Sequence, residues 1–197
     1  MGSRRLGRKR LYALEKLGQT NDNKPGPGIA DAVVSSTVSR DGHQITTEIV
    51  VDLASSAGAL SSCATDAFVI GVSSSTGTHK AAHLGRITEE VNGIITDAEI
   101  ICTEQPLTGE PDIDLRYENS ATVAFSASAG ADILVAAAAD YDKGLTKTGA
   151  LDANEAEGDY LYLTTGDAHA VAGTEAKKYT AGKLVIRLIG VAQPDDL

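Results

Sequence analysis

His79 and His83 stand four residues apart, the separation at which a helix presents two metal ligands on one face. Lys80 occupies the place where a zinc protease carries its general-base glutamate, and no third ligand follows. The spacing therefore predicts an exposed loop with two polar histidines, while His43 and His169 have no partner at a recognisable distance along the chain. Gly71-Val72-Ser73-Ser74-Ser75 lacks the final glycine of a nucleophile elbow, so no Ser-His-Asp triad is nominated. Continued through Gly77-Thr78-His79-Lys80, the same stretch misses a phosphate loop. Five residues instead of four separate its glycines, and lysine does not follow the second.

The 27 carboxylates are numerous enough for a glycosidase pair or a calcium cage. Glu110, Asp112 and Asp114 lie close together, and on a strand Asp112 and Asp114 would project from one face about 7 Å apart. That geometry fits a weak cation site or a solvated face. Asp152-Ala153-Asn154-Glu155-Ala156-Glu157-Gly158 follows an EF-hand loop until its sixth position, where Glu157 replaces the glycine that makes the turn. A solvated acidic surface is the expectation over bound calcium. Cys63 and Cys102 show no CxxC spacing and are too few for a disulfide framework, so both are expected as small core residues, with a single bridge between them as the alternative. Every mechanism tested lacks a residue it requires. The expectation is a protein that is not an enzyme, with no catalytic residue, no metal ligand and no cofactor.

The elements that carry these residues read mostly in period two, the spacing that sends alternate side chains to opposite faces of a sheet. Over residues 43 to 53, Ile45, Thr47, Ile49, Val51 and Leu53 share one face against Gln44, Thr46, Glu48 and Asp52. Residues 94 to 104 place Ile94, Thr96, Ala98, Ile100 and Cys102 inward, with Asp97, Glu99 and Thr103 outward. Ile113, Leu115 and Tyr117 alternate with Asp112, Asp114, Arg116 and Glu118. Further strands are predicted over 67–72, 121–126, 160–165 and 183–191, the last with Leu184, Ile186 and Leu188 opposite Arg187. Asp132 to Ala139 is predicted as a short helix from its alanines, with a buried strand from its Ile-Leu-Val run as the alternative, since eight residues do not decide the period. Residues 153–158 and 166–178 are expected as exposed loops. Short strands separated by glycine-rich or polar turns predict a mainly β fold, a single β-sandwich of the jelly-roll type.

Charge divides the chain in two. Residues 1 to 24 hold seven cations against Glu15 and Asp22, a net +5, so the remainder carries −15 of the total of −10. Alanine and glycine together make up 49 of 197 residues and there is no tryptophan, so the core must rest on Leu, Ile and Val. No run of 18 apolar residues exists to span a membrane. Ser3-Arg4-Arg5-Leu6 is not a twin-arginine signal, because Arg8-Lys9-Arg10 stand where an apolar stretch is required. Within this arm Ser3 can cap a helix that carries Leu11, Leu14 and Leu17 at three-residue spacing and stops at Gly18. Asn21 to Gly28, with Pro25, Gly26, Pro27 and Gly28, reads as the linker between an arm (1–28) and an acidic body (29–197). Arginines alone would suit phosphate binding, and an amphipathic membrane helix would carry more aromatics than Tyr12. Cations combined with leucines predict protein docking through Arg4, Arg5, Arg8, Lys9, Arg10, Leu11, Leu14 and Leu17, with nucleic acid and membrane as the lesser readings.

The opening Met1 to Lys16, together with EIVVDL (48–53), DIDL (112–115), YLYLTTGD (160–167) and YTAGKLVIRLIG (179–190), resembles a group of structural virion proteins of marine tailed bacteriophages. The resemblance spans almost the whole chain and implies a virion component present in many copies. Within that group a capsid decoration or cement protein fits best, partnered by the major capsid protein or other virion proteins and by its own copies, with a trimer suited to capsid three-fold positions. A tail or head-to-tail connector subunit is the rival within the particle. A glycan-binding module is the rival outside it, for which the chain has few aromatic platforms.

Overall fold

The computed structural model describes residues 24–29, 33–63, 65–73, 80–129, 133–136, 140–149, 158–166 and 176–192. Eleven strands are found among them: β1 (Val34–Asp41), β2 (Gln44–Asp52), β3 (Ser61–Ser62), β4 (Gly85–Arg86), β5 (Ile94–Leu107), β6 (Ile113–Glu118), β7 (Ile133–Val135), β8 (Thr146–Gly149), β9 (Tyr160–Thr165), β10 (Lys177–Lys178) and β11 (Ala181–Val191). A single helical turn, α1 (Glu89–Asn92), precedes β5. One sheet has the order β1-β2-β11-β5-β8 and a second the order β4-β9-β6-β7, while β10 and β3 form a separate pair. All pairings are antiparallel.

Without β1, β3 and β10, eight strands remain. Taken in chain order, the first, eighth, third and sixth form one sheet, and the second, seventh, fourth and fifth form the other. This alternation is the double Greek key of a jelly roll, and the expected β-sandwich is the observed fold. The two inner faces supply the core. Ile45, Ile49 and Val51 of β2, Leu184, Ile186 and Leu188 of β11, and Ala98, Ile100 and Cys102 of β5 are buried with Ile113, Leu115 and Tyr117 of β6 and Leu161 and Leu163 of β9. Thr47 is buried among them because Asn92 of α1 donates to its hydroxyl at 2.7 Å. The same Asn92 side chain accepts the Thr88 N–H at 3.0 Å, so one amide both closes the helical turn and fills a polar gap in the core.

Several sequence expectations change in three dimensions. Thr96 is exposed and Ile95 buried, because Gly190 pairs with Ile95 while Ile189 pairs with Asp97. That bulge inserts one residue and reverses the alternation N-terminal to it. The segment expected as a helix contains strand β7, paired with Leu115 and Arg116 of β6. Its Ile-Leu-Val run completes a sheet, which outweighs local alanine content; residues 132 and 137–139 lie outside the described residues. The segments 67–72 and 121–126 form isolated bridges instead of continuous strands, with left-handed φ values at Ala67 (61°) and Ser126 (58°). They still bond one another's neighbourhood, Val69 N–H to Ala127 O at 2.9 Å and Ser126 N–H to Val69 O at 3.1 Å. Of the expected loops, Gly166 is buried and Lys177–Lys178 pair with β3; residues 153–157 and 167–175 lie outside the described residues.

Candidate docking interface

The eight residues predicted to bind a partner, Arg4, Arg5, Arg8, Lys9, Arg10, Leu11, Leu14 and Leu17, lie outside the described residues. The root from which they extend is described. Gly26 N–H donates to His83 O at 2.8 Å and Gly28 N–H to Ala81 O at 2.6 Å, while Gly28 O accepts from Val72 N–H at 2.9 Å. Residues 25 to 28, read from sequence as a linker, are thus strapped to the body. Glycine is required here by proximity: a Cβ on Gly28 would collide with Lys80 O and Ala81 O, and one on Gly26 with Ala81 O. Pro25 and Pro27 restrict φ between them and present no N–H. Ile29 then enters the core.

The outer face of the five-stranded sheet is banded. Glu48, Arg187 and Glu99 stand side by side on β2, β11 and β5, with Arg187 Nε to Glu48 at 3.0 Å and Arg187 Nη1 to Glu99 at 3.1 Å. Hydrogen bonds to Glu48 and then Glu99 raise the pKa of this guanidinium further. Next to that row lie Val50, Val185 and Ile101, half-buried in one register line, and beyond them Lys183 approaches Asp52 at 3.7 Å. The ion pairs are partly exposed and contribute little to stability, about 0 to 1 kcal/mol each.

The carboxylates of the 110–114 stretch do not form a solvated face. Glu110 and Asp112 are fully buried and Asp114 nearly so. Sequence alternation correctly assigned Ile113 and Leu115 to the core, but the opposite side of β6 is covered as well. Arg116, two residues along the same face, donates to Asp114 at 3.2 Å, to Thr164 Oγ1 at 3.1 Å and to the more exposed Asp66 at 3.3 Å. Tyr162 of the neighbouring β9 donates its hydroxyl to Ser120 O at 2.6 Å, and burial pushes its pKa up to about 12. Glu110 is held by its backbone: its N–H donates to Ser62 Oγ at 2.7 Å and its O accepts the buried Tyr179 hydroxyl at 2.7 Å. Gly166 lies against Asp112, where a Cβ would collide with the carboxylate. Among the described residues, no group of three or more His, Cys, Asp and Glu is arranged to hold a metal. The acidic run is a buried polar seam, and the signal for it in the sequence was Arg116 alternating with Asp114 on one strand face.

His83 is half-buried, not in an exposed loop. Its ring lies 4.9 Å from that of Tyr160 and 6.2 Å from that of Tyr162, and burial lowers its pKa. Tyr160 also receives the Arg86 guanidinium at 5.6 Å. His79 lies outside the described residues. Cys63 and Cys102 are free and buried, as expected, and burial raises the pKa of both thiols. Among the described residues no helix is long and apolar enough to cross a membrane.

The fold defines a jelly-roll β-sandwich with a polar seam and a strapped N-terminal root. No protein-family model, no curated protein and no solved structure matches the chain.

Proposed function

We propose that this protein is a structural component of a tailed-phage virion, a capsid decoration or cement protein that attaches to the capsid lattice through residues 1 to 20 and performs no catalysis. The observation that carries this reading is the division of charge, +5 on residues 1 to 24 against −15 on the rest. A basic arm anchors on an acidic surface, and an acidic body keeps its distance from nucleic acid and from other bodies. The strap at Gly26 and Gly28 supports it, because attraction felt by the arm is transmitted to the body through a fixed point. A jelly-roll body is in keeping with it, as the architecture serves capsid and lectin domains, although a fold alone assigns no function.

Cations bring the arm to an acidic partner, but exposed pairs are weak and screened by salt. Burying each leucine of the Leu11, Leu14 and Leu17 stripe contributes roughly 1.5 to 3 kcal/mol before the entropy of ordering the arm is subtracted. Deleting residues 1 to 20 is expected to leave a folded body that no longer joins particles. Leu14→Asp is expected to match the deletion closely, and Arg8→Ala to weaken attachment mainly at low salt, where its charge is unscreened. Quantitative mass spectrometry of intact particles separates this role from a connector subunit by copy number. Full occupancy by the deletion variant would place docking on the body's own surface, and a preference of the isolated arm for DNA would replace the reading with nucleic-acid binding.

A further inference from the structure

The edges of the two sheets are unequal. β8, β4 and β7 are four, two and three residues long, whereas β1 runs for eight residues at the edge of the five-stranded sheet. Short edges are one way in which β-proteins avoid pairing with other chains, and proline, bulges and charge are others. β1 has no proline, its register with β2 is unbroken from Val34↔Val51 to Asp41↔Gln44, and its charges, Arg40 and Asp41, are confined to one end. Among the described residues no strand pairs with its outer side.

The direction of its backbone groups follows from the hairpin. Asp52 N–H donates to Val33 O at 2.8 Å, and Val33 continues the β1 register opposite Asp52. Hydrogen-bonded pairs recur at every second residue of an antiparallel ladder. The odd-numbered residues of β1 therefore bond β2, and Val34, Ser36, Val38 and Arg40 direct both N–H and C=O away from the sheet.

We propose that this edge is a self-association surface, and that its occupant is β1 of a second copy paired antiparallel about a two-fold axis at Thr37. In this register Val34 of one copy faces Arg40 of the other, and Ser36 faces Val38, so all four outward-directed residues of each strand find hydrogen-bonded partners. On the outer face Thr37 meets Thr37 and Ser35 meets Ser39, polar pairs suited to cross-strand contact. No like charges oppose one another along the strand. The result is a continuous ten-stranded sheet built from the two five-stranded sheets. Because both bodies are acidic, screening their repulsion favours the contact. Salt therefore strengthens β1 pairing and weakens attachment by the basic arm, which keeps the two interactions distinguishable. This proposal does not rest on the role in a virion.

The test uses the full chain. Sedimentation is expected to show self-association that increases with protein and salt concentration and is lost in Ser36→Pro, which removes an outward N–H while sparing the β1–β2 ladder. Independently, Thr37→Cys is expected to form a disulfide-linked dimer under mild oxidation, since directly opposed non-hydrogen-bonded residues have Cα atoms about 4.5 Å apart, within disulfide range. Ser39→Cys alone is expected to form no disulfide-linked dimer, and Ser35→Cys mixed with Ser39→Cys to give the mixed dimer. The buried native thiols leave this readout clear. The proposal is overturned if Thr37→Cys cross-links no faster than Ser39→Cys, if Ser36→Pro folds and self-associates like the parent, or if cross-linking requires removal of residues 1 to 23, which would mean that the arm covers the edge.

Discussion

Arg116 illustrates how a single side chain decides whether an acidic run is a surface or an interior. Its guanidinium joins Asp114 and Thr164 inside the protein and reaches Asp66 at the margin. Charges taken out of water are costly, and removing one member of a buried pair typically costs about 3 to 5 kcal/mol because the other is left behind. Arg116→Met is expected to destabilise the fold on that scale in urea unfolding, whereas Arg187→Met, on the solvated outer face, is expected to cost about 1 kcal/mol or less. His83 makes a second residue-scale prediction. Burial lowers its pKa below the ordinary 6.5, so its neutral form is favoured in the folded protein. The stability associated with that neutral form is present above pH 6.5 and is lost as pH falls through the folded-state value. The groups around the ring are the Tyr160 and Tyr162 side chains and the backbone at Gly26. His83→Phe retains ring packing without titrating, and thermal melts from pH 7.5 to 5 are expected to show a smaller loss for this variant than for the parent.

At the scale of elements, close approach is what closes the sandwich. Gly149 at the end of β8 belongs to the five-stranded sheet, yet a Cβ there would collide with Leu134 O of β7 in the other sheet. The two edges approach each other at this point, and no side chain fits between them. Gly149→Ala is expected to destabilise the fold by about 1 to 3 kcal/mol, the usual cost of overpacking, while Gly144→Ala tests a different effect, since Gly144 has open space but a φ of 89°. The strap is the second such element. Gly28→Ala should detach residues 25 to 28 from the 81–83 backbone, read as increased proteolytic cleavage before Ile29 with the rest of the body still folded.

For the whole molecule, connectivity sets which segments are dispensable. β11 lies between β2 and β5 and shares long ladders with both, so partners separated by 139 residues, such as Arg187 and Glu48, meet at the centre of the sheet. Truncation after Thr180 is therefore expected to leave an unfolded or insoluble chain by circular dichroism, while removal of residues 1 to 20 is expected to leave the melting temperature unchanged. Such non-local pairing also places refolding in the millisecond-to-second range typical of β-sandwiches.

The sequence by itself determined the class of fold and most of the core. Strict alternation in β2 and β11 located Ile45, Ile49, Val51, Leu184, Ile186 and Leu188 on buried faces, because a half-buried strand admits only one arrangement of its side chains. The same reasoning could not see β1, whose Ser-Ser-Thr-Val-Ser run has too little apolar contrast, nor the bulge that turns Thr96 outward, which exists only opposite Gly190 on a distant strand. Tertiary structure alone decided that β7 is a strand, because its hydrogen bonds are made to β6, and that Asp112 and Asp114 are interior, because whether the second face of β6 is wet depends on what packs over it. Local periodicity states which residues share a face. Only the assembled layers state whether that face meets water.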